Sequence, residues 1–83
     1  MNNQEVDTII KALANPARRD ILSWLKNPEL EFPEQKSTYA DGVCVGQIYL
    51  RAGLSQSTVS AHLATLQRAG LLSSKRLGQW VYY

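Results

Sequence analysis

The sequence is poor in the residues that bind metals and close disulfides. Its 83 residues include one cysteine, Cys44, and one histidine, His62. A lone thiol cannot close a disulfide within the chain, and the reducing cytoplasm is the expected compartment. One Cys and one His cannot complete a soft-metal site, so neither metal nor cofactor is expected. No apolar run approaches the roughly 18 residues of a membrane span. The opening Met1-Asn2-Asn3-Gln4-Glu5 has neither the basic patch nor the apolar stretch of a signal peptide. There is no glycine-rich phosphate loop and no framed carboxylate pair, so an enzyme is not expected. The length allows one domain with a small core, and such a chain often gains stability from a partner subunit.

Acidic residues are missing from the second half. Residues 42–83 carry Arg51, Arg68, Lys75 and Arg76 and no acid. All seven acids (Glu5, Asp7, Asp20, Glu29, Glu31, Glu34, Asp41) lie in residues 1–41, beside Lys11, Arg18, Arg19, Lys26 and Lys36. Net charge is only +2, so the information lies in its distribution. A purely basic half suits a face that meets a polyanion.

Local signals then set out the elements. Val6, Ile9, Ile10 and Leu13 recur at helical spacing, which predicts an amphipathic helix. Asn15-Pro16 joins a good N-cap to a residue suited to the first helical position, and a second helix starts there. Its apolar set is Ile21, Leu22 and Leu25, with Ala17 and Trp24 nearby, and Asn27-Pro28 ends it. Residues 27–42 lack periodicity and read as a long loop with some local turn structure. Val43-Cys44-Val45 predicts a brief strand, and residues 47–52 a short helix capped by Gly53. Ser55 is the N-cap candidate for the next helix, which carries a core stripe of Val59, Leu63 and Leu66 and closes at Gly70. The tail, with strand-like runs on either side of Leu77-Gly78-Gln79, predicts a hairpin in which Trp80 packs rather than stacks on bases.

A short helix, a glycine turn, a second helix and a basic hairpin make a winged helix-turn-helix, mainly α with a small β-hairpin. On a helical wheel Leu63 and Leu66 fall within about 40° of Val59. The opposite face carries Ser57, Ser60, Ala61, Ala64 and Arg68, with Thr58 and Thr65 on a flank. Such compact side chains let a backbone approach a groove. Gln56, Ser57, Thr58 and Ser60 can bond base edges or phosphates, helped by the positive end of the helix dipole. The plainer reading of Ser55-Gln56-Ser57-Thr58 is an N-cap cluster on an ordinary surface helix. In the wing, Lys75 and Arg76 can meet phosphates or the minor groove and Gln79 can add a polar contact. The alternative there is a solvated hairpin whose charges guard its edge.

Two readings are open for Arg18 and Arg19. They clamp a phosphate, or they form a salt bridge to Asp20, Glu5 or a loop acid. A first-turn arginine opposes its own helix dipole, so something else must favour it. His62, beside the core stripe, reads as a half-buried hydrogen-bonding residue, with a phosphate contact as the alternative.

The segments Ala12-Leu13-Ala14-Asn15-Pro16-Ala17-Arg18-Arg19-Asp20-Ile21-Leu22, Leu54-Ser55-Gln56-Ser57-Thr58-Val59-Ser60-Ala61-His62-Leu63, Leu66-Gln67-Arg68-Ala69-Gly70-Leu71-Leu72 and Gly78-Gln79-Trp80-Val81-Tyr82-Tyr83, in this order, resemble the ArsR (ArsR/SmtB) family of bacterial winged-helix repressors. The resemblance implies a homodimer that binds a roughly palindromic double-stranded operator and is released by a signal. It places a recognition helix at about 55–69 and a wing at about 73–83. The resulting DNA-binding set is Gln56, Ser57, Thr58, Ser60, Ala61, His62, Arg68, Lys75, Arg76, Gln79 and Arg18. Metal-sensing members carry a Cys-x-Cys pair where this chain has Cys44-Val45-Gly46, so sensing through that site is not expected. Cys44 is then either a thiol sensor or an inert apolar residue. The family's C-terminal dimerisation helix has no counterpart up to Tyr83, and the 27–42 loop is longer than is common. A competing function is a protein-interaction module without DNA binding, exposing an apolar patch around Phe32, Tyr39 and Tyr49.

Overall fold

The helix starts are written in side chains that accept hydrogen bonds. In the computed structural model, which describes residues 1–83, helix α1 spans Asn3–Leu13 and its Asn2 cap accepts the Glu5 N–H at 2.7 Å. Asn15 caps α2, Pro16–Lys26, by accepting from the N–H groups of Ala17 and Arg18, with Pro16 opening the helix. A short α3, Pro28–Glu31, follows. Helix α4 covers Val45–Ala52 and ends at Gly53, whose φ of +66° is the left-handed conformation that favours glycine. Ser55 caps α5, Gln56–Arg68, by accepting the Thr58 N–H. Strands β1, Lys75–Leu77, and β2, Trp80–Tyr82, pair antiparallel with Lys75 opposite Tyr82, Arg76 opposite Val81 and Leu77 opposite Trp80.

Helix α2 is the hub, packing against α1, α3, α4 and α5, while α4 also packs on α5 and β2. The core is Ala12, Ile21, Phe32, Val43, Ile48, Val59, Leu63 and Leu66, all buried. Three of these eight come from α5, so its apolar stripe anchors the helix to the body. Each such Leu or Val contributes about 1.5–3 kcal/mol of burial.

Four features differ from expectation. Residues 27–42, expected as a long loop with local turns, also contain a short helix. Asn27 ends α2 and starts α3. Phe32 enters the core and meets Trp24 edge-on, with ring centroids 6.5 Å apart. The Tyr39 hydroxyl donates to the Phe32 carbonyl. Gln35 donates to the Thr38 and Gly42 carbonyls, both at 3.1 Å, and accepts the Cys44 N–H at 2.8 Å. One apolar side chain and one amide order this segment, and neither leaves a periodic signal. Second, Phe32, Tyr39 and Tyr49 form no exposed patch. Phe32 is buried, and both tyrosines are half-buried against the core.

Third, the strand expected at Val43-Cys44-Val45 shrinks to a single bridge, Cys44 with Tyr82. Beside it Val43 and Tyr83 exchange both backbone hydrogen bonds at 2.8 Å. Val45 already belongs to α4, which starts two residues before the expected Gln47. Its β-branched character yields to the helix that follows. Fourth, Trp80 does not pack. It is 54% exposed, opposite Leu77 at 40%, because the hairpin tip projects beyond the reach of the body.

Candidate nucleic-acid interface

The turn Gly53-Leu54-Ser55 joins α4 to α5, and burial of Ile48 against Val59 and Leu63 holds the pair together. With its stripe facing inward, α5 turns Gln56, Ser57, Thr58, Ser60, Ala61 and Arg68 to solvent. These candidates therefore share one exposed edge. They are not equally free. The Thr58 hydroxyl lies 2.7 Å from Ser55 Oγ and Ser57 Oγ lies 3.3 Å from it, so the plainer N-cap reading holds for Ser55 and Thr58. Ser60 Oγ sits 3.0 Å from the Tyr49 hydroxyl on α4, a contact that sequence reasoning missed. Arg68 donates to Thr65 Oγ1.

The hairpin carries Arg76 and Lys75 on β1 and Gln79 in the turn, all exposed. The wing is tied to α5 at its base, where Gln67 Nε2 donates to Ser74 Oγ at 2.9 Å. That contact gave no local signal, because it depends on where α5 ends. Arg76 Nε donates to the Gly78 carbonyl, and no carboxylate lies within ion-pair distance of Arg76. Lys75 pairs with Asp41 at 2.7 Å, an exposed contact of the kind worth about 0–1 kcal/mol that a phosphate can replace. Arg51 pairs with Glu31 and lies 4.9 Å above the Trp24 ring, which fixes it to the α3 side. The fold thus brings acids of the first half against two of the four cations of the second. The polyanion-facing charge is narrower than the sequence implied.

Arg18 is used inside the protein. Its Nε donates to the Ala12 carbonyl at 2.7 Å and Nη2 to the Lys11 carbonyl at 3.1 Å. Its Nη1 lies 3.1 Å from His62 Nδ1. Arg19 Nη1 reaches the Leu13 carbonyl at 2.6 Å. Neither arginine forms a salt bridge, and Arg18 commits three of its five N–H groups inside the protein. Both cations satisfy the orphan carbonyls at the negative end of α1, which offsets their poor position at the start of α2. The signal was present in the Ala14-Asn15 corner, which folds the first turn of α2 back onto the last turn of α1.

His62 is half-buried and hydrogen-bonded. Because an arginine can only donate, Nδ1 is the acceptor in this contact. Cys44 is half-buried at the start of α4. With His62 engaged by Arg18, the donor set does not fit a soft metal, and no three His, Cys, Asp or Glu side chains converge. No helix is long and apolar enough to cross a membrane. Burial, and then the neighbouring Tyr49, push the Tyr83 phenol above its ordinary pKa.

An α4–turn–α5 unit with a free leading edge, followed by a two-stranded wing, defines a winged helix-turn-helix protein. Residues 43–74 match the family described as bacterial regulatory protein, arsR family. The chain is 42% identical over 77 residues to the uncharacterized HTH-type transcriptional regulator YbzH of Bacillus subtilis, covering 90% of this chain and 77% of that one. It is 35% identical over 82 residues to the transcriptional activator HlyU of Vibrio cholerae, covering 99% and 64%. It is 30% identical over 78 residues to the transcriptional repressor SdpR of Bacillus subtilis, covering 94% and 72%. The chain belongs to the ArsR family, and so to DNA-binding transcriptional regulators and not to enzymes.

Proposed function

We propose that the protein is a dimeric, sequence-specific repressor of the cytoplasm, without the Cys-pair metal site. The leading end of α5 enters the major groove, and the hairpin follows the backbone toward the adjacent minor groove. One observation carries this reading. Val59, Leu63 and Leu66 are wholly buried, while the compact polar edge of the same helix is exposed. Gln56, Ser57, Ser60 and Ala61 are then the base-reading residues, and Arg76, Lys75, Arg68 and Gln79 meet the backbone.

Dimerisation rests on the apolar surface around α1. Val6 is 40% and Ile10 59% exposed on this helix. Leu13, Leu22, Leu25, Leu71 and Leu72 line an open cavity of about 520 Å³ beside it. A second copy covering this face would set two α5 helices against half-sites about one helical turn apart. The test is a titration of genomic duplex fragments at several salt concentrations, with sedimentation of the free protein. The expected result is a dimer whose affinity falls steeply with salt and differs strongly among fragments. A protein with no salt-sensitive DNA affinity would defeat the proposal.

A further inference from the structure

We infer that Arg18 is a positioning residue of the DNA-reading helix, fixing the rotation of α5 through His62 and tying it to the C-terminal end of α1. This rests on the reading of α5 as the groove-entering element. The apolar stripe of α5 resists its removal from the body, but apolar contact is non-directional and tolerates rotation about the helix axis. Rotation decides which side chains meet the bases. A hydrogen bond is directional and opposes it. His62 and Ser60 lie on opposite flanks of the stripe by the 3.6-residue period. Each holds a polar contact there, His62 Nδ1 with Arg18 at 3.1 Å and Ser60 Oγ with Tyr49 at 3.0 Å.

The Arg18 side is the one with a long reach. The same planar guanidinium holds the Lys11 and Ala12 carbonyls of α1 and the His62 ring of α5. Its fork has little freedom to satisfy one partner without the others. Displacement of α1, the helix with exposed Val6 and Ile10, therefore changes the constraint on α5. By linkage, whatever seats α1 biases DNA reading, and DNA biases the seating of α1 to the same extent.

The test uses the full chain and two duplexes of one length, one selected by the wild type from a random library and one scrambled. His62→Leu removes the acceptor at similar volume and leaves the α1 carbonyls capped. His62→Asn places an amide oxygen near the position of Nδ1. Arg18→Lys keeps the charge and loses the fork. His62→Leu and Arg18→Lys should each lower the ratio of selected to scrambled affinity about tenfold, the scale of a lost charge-assisted bond. His62→Asn should retain most of the ratio. The double variant Arg18→Lys/His62→Leu should be no worse than the poorer single variant. Equal losses on the selected and the scrambled duplex would assign these side chains to phosphate and overturn the positioning role.

An unchanged ratio in a folded His62→Leu protein, or strictly additive losses in the double variant, overturns the inference. The imidazole ¹⁵N shifts of the free protein give a reading independent of DNA. A proton on Nε2 in the wild type, lost to a tautomer mixture in Arg18→Lys, supports the contact. A proton on Nδ1 in the wild type refutes it. A wild type that selects no duplex sinks the DNA-reading proposal, and the ring signature then decides whether Arg18 holds α5.

Discussion

At the scale of single residues, contacts separate the side chains that can read bases from those that only build the helix. Ser57 has one long contact to Ser55 and otherwise faces solvent, whereas Thr58 is committed to the cap. Ser57→Ala is therefore expected to weaken a selected duplex by about 1 kcal/mol and a scrambled one hardly at all, measured by paired titrations. Arg76 has no carboxylate partner. Its replacement by alanine should weaken both duplexes alike and reduce the slope of log K against log salt by about one. Tyr83 supplies a pH test. Its folded pKa is raised by burial and by Tyr49 above the ordinary value of about 10. The folded state thus favours the protonated phenol. The stability it contributes is complete below pH 10 and disappears as pH rises through the folded value. Denaturant midpoints measured from pH 9 upward should fall more steeply in the wild type than in Tyr83→Phe.

Elements were legible where their causes are local. The caps Asn15, Ser55 and Gly53 act within a turn of themselves, and the stripe Val59-Leu63-Leu66 is a property of one helix. The exposed edge of α5 followed from that stripe. What could not be read depends on partners far along the chain. Phe32 is core because α2 offers Trp24, and Val43 is core because Tyr83 returns to pair with it. Arg51 and Lys75 looked free because Glu31 and Asp41 lie 20 and 34 residues away. Gly42 shows the same dependence. Its φ is +103°, and a Cβ there would come within 2.4 Å of the Tyr83 carbonyl oxygen. Gly42→Ala should cost at least about 1–3 kcal/mol in chemical denaturation, because the obstacle is backbone and the conformation suits only glycine.

At the scale of the whole molecule, the distribution of charge bears on the proposed dimer. The body measures 41 × 24 × 23 Å. Its cations do not form one uninterrupted sheet, since the Glu31–Arg51 and Asp41–Lys75 pairs break up the basic half. In the proposed dimer a second subunit doubles the cations offered to a duplex and so raises affinity. Ile10→Glu, on the exposed side of α1, should shift sedimentation toward the monomer and lose most of the affinity for a two-half-site duplex. Affinity for a single half-site should fall far less, by no more than the coupling between α1 and α5 carries.

The paired backbone of Val43 and Tyr83 also bears on which operators are chosen. It joins the lead-in to α4 and the root of the hairpin in one ladder, which ties the proposed groove-entering helix to the wing. On the proposed reading, a duplex bound by both would have to match the span that this ladder sets. Base pairs lying between the two contacts, touched by no side chain, would then be sorted by how cheaply they twist and narrow.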